Sequence, residues 1–298
     1  MKTGSIEKKH GRWGYVFIAP WVIGFLAFQL YPLLASLFYS FTNASMLNKI
    51  RWVGLQNYID LFTRDPDFIN SMLITMKYTV IAVPAKLLFA LLVALILNQR
   101  LRAINMFRSI YYLPSIMGGS VAISIVWRFF FMQSGVVNSL LGAVGLPAVS
   151  WLGNPDVALY TITLLIVWQF GSSMVLFLAG LKQIPESLYE ASHIDGAGRL
   201  RVLFNITLPM LTPIIFFNLV MQSINVLQDF TAAFIVTNGG PMKATYMMGL
   251  KIYDDAFRFM KMGYASATSW ILFIIIVLLT GLLFRSSGSW VHYEDGGK

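Results

Sequence analysis

Four polar residues, Asn218, Gln222, Asn225 and Asp229, follow one another at steps of four, three and four along and just past an otherwise apolar run. At 3.6 residues per turn these steps put all four on one helix face. Three amides and a carboxylate so arranged could grip the hydroxyl groups of a solute. They could equally bond neighbouring helices of a bundle, for about 0.6–2 kcal/mol each. A second apolar run holds Trp168, Gln169, Phe170, Ser172 and Ser173. An aromatic ring beside short polar groups suits a pyranose, apolar on its faces and polar at its edge; ordinary packing accounts for Trp168 and Phe170 as well. A third run carries Lys86 near its middle. Lysine at the centre of a membrane helix costs about 2.5–3.5 kcal/mol on insertion scales, and Lys86 is too far from either end to snorkel. It therefore needs an acid from another subunit, a carboxylated substrate such as a uronate-containing oligosaccharide, or a water-filled pocket.

Other chemistries are excluded or disfavoured. The chain has no cysteine, so it forms no disulfide, Cys-zinc site or thiol nucleophile. His10, His193 and His292 are far apart and lack ligand-like neighbours, which argues against a metal site. The phosphate-binding pattern G-x-x-x-x-G-K-[ST] is absent; Gly239-Gly240-Pro241-Met242-Lys243 only approximates it and the spacing fails. The net charge of +9 does not point to nucleic acid, because basic residues at the ends of membrane spans serve to orient them.

The elements that must position these groups are membrane helices. Only 12% of the 298 residues are charged, against roughly 25% in soluble domains, and the mean hydropathy is +0.68. The apolar residues gather in runs long enough to cross about 30 Å of hydrocarbon, without the alternation of a β-barrel. An all-α integral membrane protein follows, with six predicted spans: Val16–Phe38, Ile74–Leu97, Ile110–Phe131, Val157–Leu181, Leu208–Leu227 and Ala265–Phe284. Residues 1–15 and 285–298 are short tails around a membrane domain of 16–284. No small-residue cleavage site follows the first span, which reads as an anchor. With the N-terminus inside, twelve Lys and Arg fall on the cytoplasmic side and seven outside, so both termini are expected in the cytoplasm. Outside, the nearly uncharged Phe131–Asp156 contains apolar pieces too short to span, expected to lie at the interface, and Ile235–Pro241 is a glycine-proline turn.

Between the fourth and fifth spans lies a polar loop, 182–209. Pro185 sits where a helix can begin, and Asp195-Gly196 is a helix stop. An amphipathic helix, a glycine turn and a second short helix are predicted. Small residues from Ala191 to Gly198, set beside acids and Arg199 and Arg201, fit either a solvated connector or a surface that another protein touches closely.

The spacing within this loop is informative. Glu190-Ala191-Ser192, then Gly196, then Ile206-Thr207-Leu208-Pro209 resembles the signature E-A-A, three residues, G, nine residues, I-x-L-P of membrane subunits of bacterial ABC importers. Ser192 replaces the family's more usual alanine, a small-for-small change. Gln183-Ile184-Pro185, Asp195-Gly196-Ala197, Thr237-Asn238-Gly239-Gly240-Pro241 and Tyr253 to Ala267 resemble the binding-protein-dependent sugar permeases that include the maltose transporter's membrane subunits.

The resemblance implies a type I importer fold in which the loop is a coupling helix seated in a groove of a cytosolic ATPase. Glu190, Ala191, Ser192, Asp195 and Gly196 would form its docking face. The fourth and fifth helices would line the substrate path with Trp168, Gln169, Phe170, Ser173, Asn218, Gln222, Asn225, Asp229 and Lys86. Asn238, Gly239, Gly240 and Pro241 would lie at the external gate or touch the binding protein. Implied partners are a second, different permease subunit, an ATPase dimer holding ATP and Mg, an external substrate-binding protein and a carbohydrate; this chain would bind no cofactor and hydrolyse no ATP. Glycerol-phosphate or another small polyol is the alternative cargo. A stand-alone channel or secondary transporter would need relay charges in several spans and leaves the loop unexplained, and no acid-histidine cluster supports a membrane enzyme.

Overall fold

The computed structural model describes residues 15, 17–45, 49–99 and 104–292. Nearly all of the proposed N-terminal tail, the end of the C-terminal tail, and Arg100 and Arg102 of the charge count lie outside the described residues.

The described chain is almost wholly helical. In order it forms α1 (Phe17–Ser40), α2 (Gln56–Thr63), α3 (Pro66–Leu97), α4 (Ile104–Met117), α5 (Val121–Phe131), α6 (Val136–Ala143), α7 (Pro155–Trp168), α8 (Gly171–Leu181), α9 (Glu186–Ile194), α10 (Arg199–Leu227), α11 (Met248–Tyr253) and α12 (Met262–Ser287). Five stretches are long and apolar enough to cross a membrane, and the pair α7–α8, bent by 47°, supplies a sixth.

The third and fourth of the expected spans are interrupted. The third was expected as one helix over Ile110–Phe131, but it breaks at Gly118-Gly119, and the apolar stretch long enough to cross is Val121–Ala143. The physical cause is local: Gly119 takes φ +75°, a conformation a helix cannot accommodate. The fourth span runs through Gln169 and Phe170 with a bend instead of a straight axis.

One unit of the chain ends at Asp65 and resumes over Ile252–Ile271. In it, Asn57 Nδ2 donates to the carbonyls of Ser40 and Thr42, both at 2.8 Å, fastening α2 to the end of α1. Gly263 N donates to Ala44 O at 2.8 Å, and a Cβ at Gly263 would strike the Thr42 carbonyl. Tyr264 Oη donates to Asp65 at 2.8 Å, and Trp270 Nε1 to Ser36 at 3.2 Å.

The other unit, Pro66–Lys251 with Leu272–Lys298, is built around α3. This helix packs against α7, α8 and α10. Its inner face carries Ala82, Lys86, Ala90 and Ala94, four apart and all buried. Alanines let neighbouring helices approach closely where no hydrophobic force drives them together. Val80, Leu88, Leu92 and Ile96 lie exposed on the opposite face, as a lipid-facing stripe should. Asn138 of α6 pins the following loop: Nδ2 donates to the carbonyls of Gln133 and Val149, and Oδ1 accepts from Val149 N and Trp151 Nε1.

Candidate functional site

Two helix breaks meet in the interior of the second unit. Ser115 Oγ, three residues before Gly118, donates to Gln169 O at 3.0 Å and accepts from Ser172 N at 2.9 Å. These are backbone groups that the bend between α7 and α8 would otherwise strand in an apolar setting. The approach is close enough to demand glycine at position 171, where the neighbour is backbone. A Cβ on Gly171 would lie 2.5 Å from Tyr111 O, and one on Gly118 would lie 2.6 Å from Gln169 Oε1.

Beside this crossing is a cavity of about 370 Å³, a size usual for small-molecule sites. Ser115, Gly118 and Gly119 line one side, Ile166, Gln169 and Ser172 another, and Lys86 faces Gln222, Asn225, Val226 and Asp229. Lys86 Nζ donates to Gln222 Oε1 at 2.9 Å. Asp229 stands just past the end of α10; one oxygen accepts from Tyr78 Oη at 2.8 Å and the other from Ala232 N at 3.4 Å, which caps the helical turn that follows. Lys86 and Asp229 also attract one another electrostatically. Thus α3 holds the end of α10 at two points eight residues apart, through Tyr78 and Lys86.

Five of the residues read from the sequence as a substrate path, Lys86, Gln169, Gln222, Asn225 and Asp229, share this cavity. Four stand apart from it. Asn218 is fully buried a turn away; its Nδ2 donates to Ile214 O at 3.1 Å and its Oδ1 has no partner among the described residues. Ser173 is fully buried, with its hydroxyl unpartnered among the described residues. Trp168 packs against Trp127, and Phe170 against Phe89 and Tyr111. The partner of Lys86 is an amide of this same chain. Tyr78, Ser115, Gly118 and Gly119 enter the site without having been singled out in sequence. The Gly-Gly pair inside an apolar run was the available signal.

The loop between the fourth and fifth spans is the predicted helix, turn and helix. The N-cap Pro185 leads into α9, Asp195 ends it, and Gly196 turns the chain at φ +70°. The second helix does not stop: α10 begins at Arg199 and runs, through one wide turn at Leu203–Thr207, into the membrane span. Glu190, Ala191, Asp195 and Gly196 are exposed. Ser192 turns inward, its hydroxyl bonded to Tyr189 O at 2.7 Å. Ile194 is 87% exposed, and Leu200 and Phe204 of the same loop are exposed as well.

At the opposite end of α10, Asn238 and Gly239 take left-handed conformations and the Gly240-Pro241 peptide is cis. Thr237 and Thr245 share a hydrogen bond of 2.7 Å, and Thr245 Oγ1 donates to Gly240 O. Lys243 pairs with Asp67 at 2.6 Å, and Met248 N donates to Thr75 Oγ1 at 2.9 Å, so this turn is tied to the N-terminal half of α3. Asn238 is exposed, whereas Gly239 is buried against Tyr246.

Comparison with known proteins adds the following. Residues 75–292 match the family described as binding-protein-dependent transport system inner membrane component. The chain is 48% identical over 298 residues to the probable ABC transporter permease protein YesP of Bacillus subtilis, covering 99% of this chain and 96% of that protein. It is 34% identical to the lactose transport system permease protein LacF of Rhizobium radiobacter, covering 95% and 96%. In fold it is similar to a chain of the bacterial alginate ABC transporter crystallised with an alginate pentasaccharide-bound periplasmic protein, with TM-score 0.83, 22% identity and coverage of 96% and 97%.

Proposed function

Since the chain belongs to the family of binding-protein-dependent transport system inner membrane components, we propose that it is the permease subunit of an ATP-driven importer for a carbohydrate, and that the cavity beside the crossed helix breaks lies on the solute's path. The observation that carries this reading is the gathering of Lys86, Gln169, Gln222 and Asn225 around one cavity within otherwise apolar helices. Side-chain amides and an ammonium bind hydroxyl-rich solutes, and polar groups at membrane depth mark solute pathways. The relation to a lactose permease supports sugar over a small polyol.

The chain has no phosphate-binding motif, so energy comes from a separate ATPase dimer that holds ATP and Mg. The exposed Glu190, Ala191, Asp195 and Gly196, with Ile194, form its seat. A second permease subunit completes the membrane part, and the Asn238–Pro241 turn lies on the side that meets the binding protein. The excess of basic residues on one side supports cytoplasmic termini. In the cycle, binding protein delivers the solute from outside, closure of the ATPase dimer moves α9, and the helices around the cavity open it alternately to the two sides.

The reading is tested in the reconstituted complex by saccharide-dependent ATP hydrolysis and uptake. Gln222→Leu should lower uptake at limiting sugar while the ATPase still copurifies. Glu190→Arg should release the ATPase and abolish uptake. Uptake that survives complete loss of the ATPase would sink the proposal.

A further inference from the structure

We infer that the cavity binds its saccharide through a carboxylate, so that the cargo is a uronate-containing oligosaccharide whose acid group is held by Lys86. This rests on the transport reading above and deepens it. Lys86 is 7% exposed, yet it lines the cavity, and Gln222 is its one hydrogen-bonded partner among the described residues. An ammonium has three N–H donors and no acceptor, so two hydrogens remain to face the cavity.

Asp229 leaves those two hydrogens unclaimed. Its oxygens are engaged by Tyr78 Oη and Ala232 N, which turn the carboxylate toward α3 and its own helical turn. The rest of the polar lining around Lys86 is rich in donors. Gln222, Gln169, Asn225 and Ser172, each of which carries an N–H or O–H donor, all line the same space. A buried cation with spare donors, among further neutral donors, asks for an anionic acceptor. With Asp229 bordering the same cavity, a carboxylate adds only one further negative charge beside Lys86. A phosphate monoester, at −1.5 to −2 near pH 7, would exceed it in the presence of Asp229.

The test uses the purified complete transporter in lipid nanodiscs, without binding protein, so that selection outside the membrane does not intervene. A hexuronate trisaccharide, the same trisaccharide with its carboxyls reduced to hydroxymethyl groups, and a phosphorylated trisaccharide are titrated by calorimetry. Wild type should bind the uronate about tenfold or more tighter than its reduced counterpart, the size of one charged hydrogen bond. Lys86→Met should abolish that preference, so that the uronate and the reduced sugar bind alike. Lys86→Arg, which keeps the charge and guards against a misfolded methionine variant, should retain it. Equal wild-type affinity for uronate and reduced sugar, tighter binding of the phosphorylated sugar, or loss of both affinities alike in Lys86→Met with the preference also lost in Lys86→Arg, would overturn the carboxylate assignment and leave the transport reading standing. If none of the three sugars binds, and none is taken up when binding protein is restored, the transport reading falls as well.

Discussion

Tyr78 gives its hydroxyl hydrogen to Asp229 at 2.8 Å from a fully buried position. Removing the donor strands a carboxylate oxygen, which costs about 1–3 kcal/mol. Tyr78→Phe should therefore lower the thermal midpoint of the purified complex. Asp229→Asn should lower it too, and the double variant should cost less than the sum of the two, since residues sharing one bond are coupled. Strict additivity in that cycle would show that the bond does not hold the end of α10. The need for a partner at Lys86 was legible, because a lysine stands fourth-residue in register with Ala82, Ala90 and Ala94 on a face of small buried residues. The identity of that partner was not, because Gln222 lies 136 positions away and only the packing of α3 on α10 brings it near. The same limit applies to the polar face of α10. Helical period aligned its four members, but Asn218 bonds its own backbone while Gln222, Asn225 and Asp229 reach the cavity. Which members of a polar face meet a neighbour and which meet space is decided by the helix opposite.

At the scale of elements, two glycines illustrate different constraints. A Cβ on Gly180 of α8 would run into the side chains of Ile214 and Leu211 of α10, while its own backbone is ordinary helix. Gly196 has open space around it, but a φ of +70°. Gly180→Val is overpacking and should destabilise by about 1–3 kcal/mol, seen as a lower melting temperature of the complex. Gly196→Val should leave melting of the membrane part nearly unchanged, because the strain of about 1–2 kcal/mol falls on the turn alone. It should instead reduce ATPase copurification, with Gly196→Asn closer to wild type since asparagine tolerates the left-handed region. Comparable melting losses for the two valine variants would contradict this division. The turn at Gly196 was legible because Asp-Gly closing a helical pattern has a local cause. The bend at Gln169-Phe170 was not. No proline stands there; α4 passes close to Gly171 at Tyr111, and its Ser115 takes over the freed backbone groups.

For the whole molecule, six crossings with the termini proposed to be cytoplasmic make a prediction independent of any substrate. A fluorescent protein fused after Lys298 should be bright, and alkaline phosphatase inserted in the loop between α6 and α7 should be active. The reverse pattern would invert the orientation read from the basic residues. The number of spans was legible because apolar length is a property of the chain alone. Where spans begin, bend or continue was less so, since Val121–Ala143 and Arg199–Leu227 both run past the ends that hydropathy suggested. The second of these has a mechanical consequence. The 24 residues from Arg199 to Gln222 run as one continuous helix, with a wide turn at Leu203–Thr207 and Pro213 inside it, about 35 Å long at 1.5 Å per residue. A swing of about 5° at its cytosolic end carries the far end through about 3 Å, close to the length of one hydrogen bond. In the transport cycle proposed above, a helix that moves as a body would carry a small displacement of α9 to Gln222, far enough to pull it off Lys86, and so make the push from the cytosol and the hold on the cargo two ends of a single lever.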